Sequence, residues 1–290
     1  MKKIAIVGAN SFLAKNLAFY LTHTAKEPCD LLLYDVQPAN EATPANYKQL
    51  NFEDPVSLDA VEYSADAIYF FTGLTGTKKS LARYADFVKV NELYLLNFLD
   101  AYRRKGGSAK IIYPSSRLMY ASSDAPLSED AKKGFRSIYA VNKYAAEKYL
   151  EVFYNLYGIK SCVLRICVPF GSLIPDLPSY GTYEFFCEQA KAGKNITVFG
   201  DGSSTRTFTH VEDICKALAL IAGNDACFGV FNLGGRQKSL SEIAKAIAAQ
   251  YRVGIDYIPF PEEDARLEVP HSVFDSSKLD RLLGLSYRDF

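Results

Sequence analysis

Apolar positions in this chain fall into two alternating rhythms. Short aliphatic or β-branched runs at residues 3–7, 30–34, 67–71, 110–113, 162–168 and 230–233 are of strand length and predict β-strands. Between them, residues 13–22, 81–105, 138–157, 211–222 and 240–251 carry apolar side chains at helical spacing and predict helices. Strands so continuously hydrophobic are buried on both faces, which is the pattern of a parallel sheet with helices on either side. The fold class expected is α/β, a doubly wound parallel sheet.

After Pro169 the rhythm changes. Residues 171–181 and 200–204 are rich in proline, glycine and serine and read as loops, whereas 211–234 resumes the helix and strand of the main layer. A main domain is therefore expected over residues 1–168 with about 211–234, and a smaller C-terminal substrate lobe over about 169–210 and 235–290. No internal repeat or low-complexity tract interrupts this plan.

Composition narrows the partners. Lysine plus arginine and aspartate plus glutamate both number 33, without a basic run, so nothing electrostatic recruits nucleic acid or an anionic membrane, and a small molecule is the expected partner. No apolar run approaches the roughly 18 residues of a transmembrane helix. Met1-Lys2-Lys3 has the charge of a leader peptide, but the apolar run behind it is strand-length and lacks a cleavage site, so a cytoplasmic protein is expected. The six cysteines include no C-x-x-C pair, and all but Cys29 lie in apolar or amphipathic segments, as buried reduced thiols do. His23, His210 and His271 lack carboxylates at ligand spacing, and no metal is predicted.

The first strand runs into Gly8-Ala9-Asn10-Ser11-Phe12-Leu13-Ala14 and then a helix, the context in which a glycine-rich turn lets backbone amides approach a pyrophosphate. Ser11 and Ala14 stand where two further glycines are expected, so an ordinary tight turn competes with the dinucleotide reading. The second strand ends at Asp35, about 20 residues further on, where a carboxylate accepts hydrogen bonds from ribose hydroxyls and repels a ribose phosphate. Together these features predict a Rossmann-type domain and favour NAD over NADP, with a solvated strand-end carboxylate as the competing reading of Asp35.

Tyr139 and Lys143 lie four residues apart on a predicted helix and project from one face. With 20 tyrosines in the chain such a pair arises by chance, and Tyr144 with Lys148 is a second one. Five residues, about 500° of rotation, separate the two tyrosines, so only one pair can face a cofactor. The setting selects Tyr139, because residues 111–116 form a strand ending in Ser115-Ser116, where parallel sheets present hydroxyls to a ligand.

The wider pattern resembles the extended short-chain dehydrogenase/reductase family, in its nucleotide-sugar epimerase and dehydratase branch, over residues 3 to about 284. Its marks are Ser115-Ser116-Arg117-Leu118-Met119-Tyr120, Tyr139-Ala140-Val141-Asn142-Lys143 with Glu147, Leu164-Arg165, Phe199-Gly200-Asp201-Gly202, and Arg206-Thr207-Phe208-Thr209-His210-Val211-Glu212-Asp213. The resemblance implies that Tyr139 is the acid/base, that Lys143 holds the nicotinamide ribose and lowers the phenol's pKa, and that Ser116 bonds the reacting oxygen. A phenol near pKa 10 needs such adjacent positive charge to act as a base at neutral pH. The same resemblance places Gly8, Asn10, Ser11, Phe12, Leu13, Asp35, Asn51, Phe52, Asn91 and Val168 about the cofactor, and Arg206 and Arg266 on the diphosphate of a nucleotide sugar, where guanidinium groups bind in bidentate fashion.

Three departures bear on the reaction. The family's 4,6-dehydratases carry Asp-Glu directly after the catalytic hydroxyl residue, where this chain has Arg117-Leu118, and decarboxylating members use a glutamate at the second position. Val168 replaces an asparagine that touches substrate, and Asn51 replaces a more usual aspartate. Dehydration and decarboxylation are disfavoured, leaving a nucleotide-sugar epimerase that oxidises a hydroxyl transiently, or a one-way NAD(P)H-dependent reductase of a keto sugar; Asp35 leans toward the epimerase. A reading from another class is a non-catalytic dinucleotide-sensing protein, which the intact Ser116, Tyr139 and Lys143 argue against. The resemblance also implies a homodimer through the helices at 81–105 and 138–157, although core packing accounts for their aromatics equally well.

Overall fold

The computed structural model describes residues 1–40, 43–179 and 181–290. Its strands in chain order are β1 (Lys2–Val7), β2 (Cys29–Asp35), β3 (Tyr47–Gln49), β4 (Ala67–Phe70), β5 (Lys110–Ser116) and β6 (Ser161–Ile166). There follow β7 (Val168–Phe170), β8 (Ile196–Phe199), β9 (Thr205–His210), β10 (Gly229–Asn232), β11 (Arg236–Ser239) and β12 (Ile255–Ile258). Seven of them form one parallel sheet in the order β3-β2-β1-β4-β5-β6-β10. The order reverses between β1 and β4, so a crevice opens there at the carboxyl ends of the strands, as in a Rossmann-type fold.

Alternation along each strand divides the core. Ile4 and Ile6 of β1 pack with Leu17, Leu21, Ile214 and Leu218 of the helices Phe12–His23 and Val211–Ala222. Ala5 and Val7 face the other way, with Leu95, Phe98, Ala146 and Leu150 of the helices Tyr94–Arg104 and Ile138–Tyr157. Every residue of β4 and β6 is buried, which is why β4 reads as an uninterrupted hydrophobic stretch and β6 as one broken only by Ser161 at its start and by Arg165. A third cluster joins Phe170, Phe186, Val198, Phe208, Ile243 and Phe274 over the small sheets β7-β9-β11 and β8-β12, and also takes in Met119, Tyr120 and Leu127.

The chain departs from the sequence reading at three places. The run 162–168 is two strands: β6 ends at Ile166, and β7 starts a different sheet by pairing Val168 with Phe208. The first ladder ends there because its partner β5 turns away after Ser116 into the 3-10 turn Arg117–Met119. The helix expected at 81–105 is broken into Thr77–Ala82, Tyr84–Val88 and Tyr94–Arg104, the last two joined by a π turn at Lys89–Leu93. Arg83, at φ −127° and ψ 40°, makes the first break. Within the stretch 171–181, which read as loop, Gly181 begins a helix to Lys191, and Tyr180 lies outside the described residues.

Candidate active site

Gly8 ends β1 in the left-handed region, φ 86°. A Cβ there would lie 2.5 Å from the Thr72 nitrogen, so only glycine lets the chain turn against the end of β4. The turn enters the helix Phe12–His23, whose N-cap Ser11 accepts from the Ala14 N–H and whose first turn carries no acidic residue. The positive end of that helix is thus unopposed. Asp35, buried at the end of β2, accepts from the Asn10 N–H at 2.8 Å and from the Gln37 N–H at 3.1 Å. Asn10 also donates its side-chain amide to the Tyr47 hydroxyl at 3.2 Å.

Ser137 caps the helix Ile138–Tyr157 and left-handed Gly158 ends it, which sets Tyr139 and Lys143 in its first two turns beside the end of β5. There a cleft of about 490 Å³ is lined by Ser116, Tyr139 and Lys143 together with Ser11, Phe12, Leu13, Val168 and Arg206. Ser116 Oγ accepts from the Leu118 N–H at 3.3 Å, so its proton is directed elsewhere. Tyr139 meets the Phe87 ring edge-on at 6.4 Å. Lys143 is 7% exposed; its Nζ donates to the Pro114 carbonyl at 2.8 Å and to the Tyr113 hydroxyl at 3.1 Å. Burial pushes the Lys143 ammonium down to about 7, opposed only in part by Glu147.

A buried polar network underlies this strand end. Ser115 Oγ donates to Glu147 at 2.6 Å, and Arg165 grips the same carboxylate through Nε at 2.9 Å and Nη2 at 2.6 Å. Arg165 Nη1 continues to the Glu129 carbonyl at 2.7 Å and the Tyr120 hydroxyl, which donates to Asn232 at 2.8 Å. Burial alone would lower the Arg165 pKa; its bonds and attraction to Glu147 reverse that and hold it above the usual arginine range. Glu147 and Arg165 were visible only as motif letters, and nothing in their spacing revealed that they pair.

Two arginines, Arg206 and Arg117, stand in the wall of the same cleft. Arg206, on β9, is 4% exposed, pairs with Glu268 and donates to Thr182 Oγ1 at 3.4 Å. Arg117 also lines the cleft, and its Nη1 donates to Ser272 Oγ at 3.0 Å and to the Val269 carbonyl at 3.4 Å. Sequence reasoning treated Arg117 only as a missing aspartate, although its place next to Ser116 was a usable signal.

Seven expected site residues are not part of the cleft wall: Gly8, Asn10 and Asp35, which build the turn described above, and Arg266, Asn51, Phe52 and Asn91. Arg266 is 76% exposed on the short helix Glu262–Leu267 and pairs with Glu262 four residues earlier. Asn51 is exposed and accepts from the Glu53 N–H at 3.0 Å, while Phe52 is core, stacked 4.9 Å from Tyr94. Asn91 is turned inward by the π turn. It is 2% exposed and clamps Leu74 by both backbone groups, accepting at 2.6 Å and donating at 3.1 Å.

A larger cavity, about 730 Å³, lies against another face of the helix Ile138–Tyr157, lined by Tyr144, Lys148 and Arg165. Lys148 there pairs with Glu151 at 2.7 Å, and neither Ser116, Tyr139 nor Lys143 reaches it. Chemistry rather than volume chooses the site, and the second tyrosine–lysine pair is turned away from it.

A family model described as the NAD dependent epimerase/dehydratase family matches residues 4–234. The chain belongs to that family. It is an NAD-dependent enzyme of the extended short-chain dehydrogenase/reductase type. An uncharacterized protein of Methanocaldococcus jannaschii is 28% identical over 225 residues, 76% of this chain and 66% of that one. The UDP-glucuronate 4-epimerase of Thermodesulfobacterium geofontis is 27% identical over 229 residues, 77% of this chain and 68% of that one. The chain thus spans about two thirds of the length of these curated relatives. Its fold matches the UDP-N-acetylglucosamine 4-epimerase of Methanobrevibacter ruminantium with TM-score 0.83 at 21% identity, over 99% of this chain and 93% of that one.

The family member's own turn fits a dinucleotide on two observations. The helix N-terminus that follows Gly8 faces the cleft through Ser11, Phe12 and Leu13, and Thr72 Oγ1, on the residue whose backbone packs against Gly8, is buried without a hydrogen-bond partner among the described residues. Among the same residues no group of three metal-ligating side chains gathers, and no helix is long and apolar enough to cross a membrane.

Proposed function

We propose that this enzyme is a nucleotide-sugar epimerase in which Tyr139 is the acid/base. The observation that carries the reading is the meeting of Ser116, Tyr139 and Lys143 in one cleft with the N-terminus of the helix Phe12–His23. Gly8, Asn10, Ser11, Phe12 and Leu13 hold the pyrophosphate, Asp35 the adenosine ribose, and Lys143 the nicotinamide ribose. Val168 closes the cleft beside them, and Asn91 acts by holding the Leu74 loop.

NAD, when bound, supplies the hydride acceptor. Tyr139 takes the proton of the sugar hydroxyl and returns it once the ketone has turned over. Ser116 donates its hydroxyl proton to the reacting oxygen while its Oγ accepts from the Leu118 amide. Lys143 charge lowers the cost of the Tyr139 phenolate, and that phenolate in turn favours the protonated lysine. Arg206 binds the diphosphate from the smaller lobe, about residues 169–210 and 235–290.

The names of its relatives support a UDP-sugar. The test is to denature the purified protein, identify the released nucleotide, and then add UDP-, dTDP- and GDP-sugars while following absorbance at 340 nm. An epimerase carries NAD and shows only transient reduction, and Tyr139→Phe abolishes product. Net consumption of NADH or NADPH with a keto sugar would instead establish a one-way reductase.

A further inference from the structure

Two guanidinium groups, Arg117 and Arg206, are buried in the cleft wall at 8% and 4% exposure, and each feels the other's charge. The carboxylate in this corner is Glu268, and it is taken by Arg206. Among the described residues the hydrogen-bond partners of Arg117 are neutral, Ser272 Oγ and the Val269 carbonyl, both reached through Nη1, and Glu268 attracts it without a hydrogen bond. Arg206 Nε is buried without a hydrogen-bond partner among the described residues. An excess buried cation is costly unless something neutralises it. The cost is visible in Arg117, whose pKa burial and Arg206 together push down to about 10.

The position of Arg117 says which part of a ligand it would meet. It follows Ser116 directly, at the strand end where the reacting oxygen is held, whereas Arg206 reaches the cleft from β9 in the lobe. We propose that Arg117 selects a nucleotide sugar whose ring carries a carboxylate, pairing with that carboxylate while Arg206 takes the diphosphate. This rests on the nucleotide-sugar reading above and deepens it to nucleotide-linked sugar acids. An aspartate at this position would repel such a group; arginine offers it a planar, charged fork.

The experiment measures, by titration calorimetry on the NAD-loaded protein, the affinities of UDP, UDP-glucose and UDP-glucuronate, two sugars that differ by the ring carboxylate. A hydrogen-bonded charge contact corresponds to about 10- to 100-fold, so wild type should prefer the glucuronate by that ratio. Arg117→Met should bring the ratio close to one, and Arg117→Lys, which keeps the charge and covers for a Met variant that fails to fold, should retain an intermediate ratio. The proposal is overturned if wild type shows no preference for the acid, or if the ratio survives in Arg117→Met. It is equally overturned if Arg117→Met weakens UDP as much as UDP-glucuronate, because Arg117 would then serve the diphosphate. Product analysis on the same samples separates the two readings: acid-selective binding without interconversion refutes the epimerase while sustaining this inference.

Discussion

Replacing Glu147 by alanine tests whether the network beneath Ser115 holds the site together. Glu147 and Arg165 are 2% and 4% exposed, and the carboxylate receives three hydrogen bonds, two from Arg165 and one from Ser115. Without it a buried guanidinium is left unpaired, a change that costs about 3–5 kcal/mol. With an unfolding entropy of about 2.1 cal/mol/K per residue, a 290-residue chain loses about 7 °C in Tm for about 4 kcal/mol. Scanning calorimetry on the NAD-loaded protein should show that drop for Glu147→Ala, and a smaller one for Glu147→Gln, which keeps shape and an acceptor. Turnover should fall as well, because Ser115 loses its anchor next to Ser116. The double variant Glu147→Met with Arg165→Met removes both charges and should recover much of the loss. A fall under about 2 °C for Glu147→Ala, or a double variant worse than either single one, would refute the reasoning.

Other perturbations probe the two halves of the site and its surface. For Lys143, the unfolded chain keeps the proton to about 10.5 and the folded one releases it near 7. Folding is therefore penalised below pH 7, and the penalty is relieved as pH rises from 7 to 10.5. Melting of the cofactor-free protein should show the Tm difference between wild type and Lys143→Met moving in favour of wild type from pH 6 to pH 9; a constant difference would count against a depressed lysine. Gly8→Ala places a Cβ 2.5 Å from the Thr72 nitrogen at φ 86°, so it should lose bound NAD and several degrees of Tm, both read on purified protein by absorbance and calorimetry. The helices expected to pair in a homodimer expose Tyr84, Val88 and Leu93 on one side and Val141, Val152 and Leu156 on the other. Light scattering should give twice the chain mass, and Val152→Asp should shift it toward the monomer.

The sequence by itself determined the layers of the fold and supplied the candidate residues of the proposed catalytic end. Buried parallel strands are hydrophobic along most of their length, and amphipathic helices repeat every 3.6 residues, so the alternation was written in local composition. Gly8, Asp35, Ser116, Tyr139 and Lys143 were legible because each sits at a strand end or on one helix face, positions set by short-range geometry. What only the tertiary structure decided depends on contacts between distant segments. No local pattern shows that Glu147 receives both Ser115 and Arg165, that β7 leaves its strand to pair with β9, or that a π turn carries Asn91 inward to Leu74. The two arginines expected on the diphosphate parted for the same reason. Arg206 is enclosed by Glu268 and Thr182, while Arg266, the same side chain on the short helix Glu262–Leu267, remains in solvent. A guanidinium becomes a binding group through the desolvation and partners that the surrounding chain provides, and those are properties of the packed molecule.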